Sequence, residues 1–319
     1  MNAAVVDSYE NPPHYTTFAD PVPTAEEVLI HVTAAGLHPI VKALAKGSHY
    51  GSTGQLPLIP GVDGVGRLDD STRVLFGASR PPYGAFAERS VTKRSFCTPI
   101  PDALDDATVA ALINPAMSSW AALTQRIQFT AGESILILGA TGSAGHLAVQ
   151  IAKRLGARRI VAVGRNPQAL EETKSLGADS TISLNQDRDA LVSAFRDELA
   201  KHKTGVILDY VWGAPAEALL AAVTQKGLDH ESWRIRYIQI GSIAAPTISL
   251  PAATLRSSGL EIVGSGFGSV PMQKIFQSLA AILKEAARQP FQIKLTTAPL
   301  SKVEKLWNST EDARLVFQP

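Results

Sequence analysis

The sequence predicts an α/β protein in which a doubly wound parallel sheet is inserted into a β-rich domain, and three observations carry that prediction. The chain changes character near residue 113, from short β-type segments to regular alternation of apolar runs and helices. A glycine-rich turn joins the first apolar run of the later part to a strong run of helix formers. The tail of the 319-residue chain then reads as β again, which places both of its ends in the β-rich domain.

The elements follow in order. Segments 28–33, 61–68, 74–76 and 85–91 are rich in β-branched and apolar residues and are punctuated by Gly and Pro, the signature of an irregular all-β region. Beyond residue 113, the runs 134–138, 159–163, 180–183, 206–210, 235–240 and 260–263 have the length and apolarity of buried strands. Helices are expected between them at 144–155, 168–176, 187–200, 215–223 and 251–257. Six strands with intervening helices match a complete dinucleotide-binding sheet. Residues 272–287 form an amphipathic helical pattern, and 291–300 is β-like. The expected division is therefore 1–113 plus 266–319 for the β-rich domain and 114–265 for the parallel-sheet domain.

Composition narrows the function. With 45% hydrophobic and 18% charged residues and a net charge of +1, the chain has material for two cores and no excess of charge to recruit nucleic acid. No apolar run reaches the roughly 18–20 residues that span a bilayer. The first residues, MNAAVVDSYENPPHY, lack the cationic start and apolar stretch of a signal peptide, so a cytoplasmic protein is expected. Cys97 is alone, which excludes an intrachain disulfide and a multi-cysteine metal site. Beside Phe96, Thr98 and Pro99 it reads as a packed or strand-end thiol.

The glycine turn carries the chemistry. Ile135-Leu136-Ile137-Leu138 leads into Gly139-Ala140-Thr141-Gly142-Ser143-Ala144-Gly145, and His146-Leu147-Ala148-Val149-Gln150 continues as a helix. Gly139 and Gly142 let the backbone turn and approach a pyrophosphate, and Gly145 permits close helix–strand packing. The phosphates would then meet the free N–H groups and dipole of a helix N-terminus. The competing reading is a tight strand–helix turn without a ligand. The next strand ends in Gly164-Arg165-Asn166, where NAD enzymes place a carboxylate for the ribose hydroxyls. Arg165 offers a guanidinium fork suited to a phosphate, so NADPH is the expected cofactor. The competing reading is a solvent-facing arginine. Lys174 adds positive charge or lies on a solvated helix face.

At this point the sequence resembles a known family. The Ala140–Gly145 turn and the helix after it, with Lys174-Ser175-Leu176-Gly177-Ala178-Asp179, are similar to the medium-chain dehydrogenase/reductase superfamily. Leu58-Ile59-Pro60-Gly61-Val62-Asp63-Gly64-Val65-Gly66, Gly84-Ala85-Phe86-Ala87-Glu88 and Ala116-Met117-Ser118-Ser119-Trp120-Ala121-Ala122-Leu123 resemble three further segments of it. The resemblance implies a GroES-like β-rich catalytic domain around a Rossmann domain. Zinc alcohol dehydrogenases carry Cys near the position of His38 and His at that of Val62. Valine offers no ligand, and the four-cysteine zinc lobe is absent, so the resemblance points to the zinc-free quinone oxidoreductase branch.

That branch implies hydride transfer from NADPH to a quinone or activated alkene, with the fold positioning the acceptor. Tyr50, after Gly47-Ser48-His49, is expected to stack near the nicotinamide, to donate to the substrate oxygen, or simply to pack at the cleft edge. The family commonly has Asn where His38 stands and Asp where Val41 stands. His38 becomes a candidate polar pocket residue, and Lys42 a candidate for part of the displaced roles. Ser118 matches a cofactor-facing position of the junction helix. Ile240-Gly241-Ser242-Ile243 and Ser265-Gly266-Phe267 are expected along the nicotinamide half, with loop turn chemistry as the competing reading. An uncovered edge strand at 260–263 implies a homodimer. Two alternatives share these motifs: an enoyl reductase acting on acyl enones, and a non-catalytic NADPH-binding sensor or structural protein.

Overall fold

The computed structural model describes residues 1–224, 233–309 and 313–319. The chain divides into two compact units, Met1–Met117 with Ile275–Pro319, and Ser118–Lys274. In the first unit, β1 (Asn2–Val5) pairs antiparallel with β2 (His14–Thr17). The ten-residue β3 (Glu27–Gly36) precedes a short helix, α1 (Pro39–Ala45), which starts on a proline whose missing N–H costs nothing at that position. Strands β4 (Asp63–Arg67), β5 (Arg73–Gly77), β6 (Arg89–Lys93) and β7 (Cys97–Pro99) follow, then α2 (Asp106–Ala121). The Cys97 thiol opens β7, and burial pushes its pKa up to about 11, which keeps it a protonated packing group.

Among the described residues, the second unit holds six strands: β8 (Ser134–Leu138), β9 (Arg159–Gly164), β10 (Ser180–Ser183), β11 (Val206–Asp209), β12 (Arg234–Gln239) and β13 (Gly259–Gly264). All pair in parallel, in the order β10-β9-β8-β11-β12-β13. Every residue of β8 is buried, as a strand covered on both faces requires. The connections are α3 (Ser143–Arg154), α4 (Pro167–Leu176), α5 (Arg188–His202), α6 (Gly213–Val223) and α7 (Ala252–Arg256). Two of these helices start on side-chain caps. Asn166 accepts from the Ala169 N–H at 3.1 Å, and Asp187 from that of Ala190 at 2.9 Å. The strand order reverses between β9-β8 and β8-β11, the topological switch point of such sheets.

The chain returns to the first unit through α8 (Met272–Arg288), followed by β14 (Leu295–Pro299), α9 (Val303–Leu306) and β15 (Arg314–Gln318). Strand β15 pairs antiparallel with β3, Phe317 opposite Ala35, and β14 lies parallel to β15. Phe86 joins the two ends in one core, with its ring 5.5 Å from Phe317 and 6.2 Å from Trp307. The parallel sheet is thus an insertion within a β-rich unit. Among the described residues, no helix is long and apolar enough to cross a membrane.

Candidate functional site

The glycine turn has a separate steric reason at each glycine. Gly139 takes φ +92°, and a Cβ there would sit 2.8 Å from Val211 Cγ2. A Cβ on Gly145 would lie 2.2 Å from the Gly139 carbonyl oxygen, so α3 packs onto its own turn only because that side chain is missing. Gly142 differs: it is exposed, and nothing lies within 4 Å of the Cβ position. It is also the N-cap of α3, with no side-chain cap and no acidic residue in the first turn. The first-turn N–H groups of α3 follow directly on this open position, an arrangement that fits a pyrophosphate. Ala140 is buried under the turn, and Thr141 fills the space beside Gly164, where a Cβ would meet Thr141 Cγ2 at 2.4 Å.

On the β9 side of that turn, Arg165 is exposed directly after the strand. Its carbonyl accepts from the Asn185 side-chain amide at 2.6 Å, which ties the loop to the end of β10. The expected contribution of Lys174 meets an ion pair: its Nζ lies 2.6 Å from Glu171 on the same helix, so its charge is largely balanced locally.

On the β11 side, sequence reading missed two residues. Asp209 is fully buried at the strand end, with Oδ1 accepting from the Val211 and Trp212 N–H groups at 2.7 and 2.9 Å. Burial holds its carboxyl above the usual carboxylate range, a shift that these hydrogen bonds oppose. Next to it, the Tyr210 hydroxyl is 3.2 Å from Ser118 Oγ. Burial pushes that phenol up to about 12. The sequence signal was the aromatic at the strand end; the partner 92 positions away carried no local sign.

The loops expected along the same half emerge beyond β12 and β13. The N–H groups of Ile240 and Gly241 both donate to the Asp209 carbonyl, and the Gln239 amide donates to the Gly241 carbonyl at 3.0 Å. Ser242 is exposed, and Ile243 presents 85% of its surface to solvent. Ser265 donates its N–H to the Gln239 carbonyl, Gly266 donates to Ser269 Oγ at 2.8 Å, and Phe267 bridges to Val270.

The first unit gathers His38 and Lys42 around a largely buried charged cluster with Asp63 and Arg314. His38, expected to face a pocket, is wholly buried at the start of α1, with Nε2 3.5 Å from Asp63 Oδ1. It fits there because Gly36 has no side chain; a Cβ would lie 2.6 Å from His38 Nε2. Burial lowers the His38 pKa, and Asp63 pulls in the opposite direction. Asp63 Oδ2 accepts from the Asn114 amide at 2.9 Å, and Arg314 donates to the Leu37 carbonyl at 2.9 Å. Lys42 is half-buried; desolvation first, then the Arg314 charge, lower its pKa. Tyr50 is exposed, and its ring meets that of His49 at a 32° tilt, centroids 4.1 Å apart. Among the described residues, no group of three or more His, Cys, Asp and Glu is placed to hold a metal ion.

Comparison with known proteins places this geometry among relatives. Residues 144–285 match the family described as zinc-binding dehydrogenase. A probable NADPH-dependent quinone reductase of Emericella nidulans is 26% identical over 100% of both chains. The chloroplastic NADPH-dependent alkenal/one oxidoreductase of Arabidopsis thaliana is 29% identical over 51% of this chain and 46% of its own. Among solved structures, the quinone oxidoreductase of Thermus thermophilus, also determined with NADPH, superposes with TM-score 0.80 at 22% identity, covering 100% of each chain. That last likeness establishes the fold.

Proposed function

We propose that the chain is a member of the medium-chain dehydrogenase/reductase superfamily and that it reduces a quinone or an activated alkene with NADPH and without a metal. The observation that carries the reading is the open Gly142 at the uncapped start of α3, at the switch point of the parallel sheet. A full-length relative named as a quinone reductase and a partial one named for alkenals and enones support the acceptor class.

In this reading Ser143, Ala144 and Gly145 hold the pyrophosphate through backbone N–H groups, with Gly139, Ala140, Thr141 and Gly142 shaping the turn. Gly164 and Arg165 take the adenosine ribose and its phosphate, and Lys174 contributes little because Glu171 balances it. Ser118, Ile240–Ile243 and Ser265–Phe267 border the nicotinamide half. NADPH, if bound here, would supply the hydride, and the acceptor oxygen would then need a hydrogen-bond donor for its developing negative charge. Tyr50 and Lys42 are the candidate donors to that oxygen. His38 acts from inside the fold, orienting α1 through Asp63, since its ring is closed to solvent. The absence of a metal rests on Val62 standing where the zinc-dependent branch has histidine; stoichiometric zinc in purified protein would contradict it.

The direct test is isotopic. Incubation of an enone with NADPH deuterated at the transferable position should give product labelled at the β-carbon. Label appearing only at the carbonyl carbon would assign an alcohol dehydrogenase instead. A homodimer through the β13 edge completes the proposal, and light scattering that gives a monomer at micromolar concentration would remove it.

A further inference from the structure

Tyr210 stands at the end of β11, and strand order assigns it a side. The sequence β9-β8-β11 puts the Arg165 loop and the Tyr210 loop on opposite flanks of the glycine turn that follows β8. If Arg165 marks the adenosine end of a dinucleotide, Tyr210 lies toward the nicotinamide end.

The tyrosine is held there with little freedom. A Cβ on Gly139 would come 3.1 Å from Tyr210 Cβ, and one on Gly241 would come 2.7 Å from the Tyr210 carbonyl oxygen, so its backbone is wedged between two glycine turns. Beyond it, Asp209 fixes the N–H groups of Val211 and Trp212, and Trp212 is held at φ +58°, a conformation side chains rarely adopt. The Val211 carbonyl accepts from Ala244, which binds the loop after β12 to the same turn. The phenol therefore reaches Ser118 from a rigid base, and burial keeps it protonated throughout the working range.

We propose that Tyr210 is a positioning residue for the nicotinamide half of NADPH, fixing the orientation of the Ser118 hydroxyl by a hydrogen bond from the floor of the switch-point crevice. This rests on the NADPH reading above. With Tyr210 as a hydrogen-bond partner, the Ser118 hydroxyl is positioned for an incoming carboxamide, and part of the ordering cost is met before the cofactor arrives.

The test compares whole and half cofactor. Binding of NADPH and of adenosine 2′,5′-bisphosphate, which lacks the nicotinamide, is titrated against the parent protein, Tyr210→Phe, Ser118→Ala and the double variant. Tyr210→Phe should weaken NADPH about three- to tenfold and leave the half cofactor unchanged, with only the small drop in thermal midpoint that the loss of one internal hydrogen bond brings. The double variant should bind NADPH much as the weaker single variant does, because the two hydroxyls act as one unit. Unchanged NADPH affinity in Tyr210→Phe, or an equal loss for both ligands, would overturn the assignment. If the parent protein binds neither ligand, the NADPH reading falls and takes this inference with it.

Discussion

Tyr237 donates its hydroxyl to Asp209 Oδ2 at 2.6 Å in the interior of the parallel-sheet unit, with both side chains closed to solvent. That bond leaves Oδ1 to hold the turn through Val211 and Trp212. Tyr237→Phe removes the donor and leaves a buried carboxylate oxygen unpaired, at a cost of about 1–3 kcal/mol. Urea unfolding should show the loss as a lower midpoint with unchanged slope. An unshifted midpoint would mean that the pair carries no stability.

The glycine turn gives a pair of opposite expectations. Gly145→Ala drives a methyl group onto the Gly139 carbonyl and should destabilise the fold by about 1–3 kcal/mol. Gly142→Ala places its methyl group in open space, at a φ of −88° that alanine accepts, so thermal stability should hold. NADPH affinity should nevertheless fall at least tenfold, because the methyl group occupies the approach of the pyrophosphate. Calorimetry on the two variants separates these effects, and an unaltered affinity for Gly142→Ala would place the phosphates elsewhere.

Arg165→Ala should bring NADPH affinity down toward that for NADH. A charge-assisted hydrogen bond of roughly 1.5–3 kcal/mol corresponds to at least a tenfold preference. Fluorescence titration with both cofactors measures it, and a preserved NADPH preference would assign the 2′-phosphate to another residue.

His38 makes stability depend on pH in a definite direction. Its folded pKa is lowered from 6.5 by burial, so the unfolded chain binds the proton more readily. The contribution is fully present above pH 6.5 and is lost as the pH falls toward the folded pKa. Thermal midpoints of the parent protein should therefore decline below about pH 6.5, and those of His38→Asn should decline less over the same interval. Parallel profiles would show that other groups control the acid limb.

Much of the fold was legible because its signals are local. The run Ser134–Leu138 is buried along its whole length, so an uninterrupted apolar stretch marked it, and the helices capped by Asn166 and Asp187 start where their apolar patterns begin. The short pair β1–β2 escaped notice, since His14–Thr17 is polar, only partly buried and defined by its partner strand. Helix α1 escaped for a similar reason: its seven residues are too few to show a periodicity. At the candidate site, the glycines and Arg165 could be read from spacing along one strand–turn–helix unit. The Tyr210–Ser118 bond, the burial of His38 against Asp63 and the balancing of Lys174 by Glu171 depend on side-chain geometry that sequence does not print.

The most direct measurement is NADPH oxidation followed spectroscopically against a panel of ortho- and para-quinones, enones and aldehydes. The account predicts turnover with quinones or enones and none with aldehydes. Tight NADPH binding without turnover on any acceptor would contradict it and identify a cofactor-binding protein that performs no reduction.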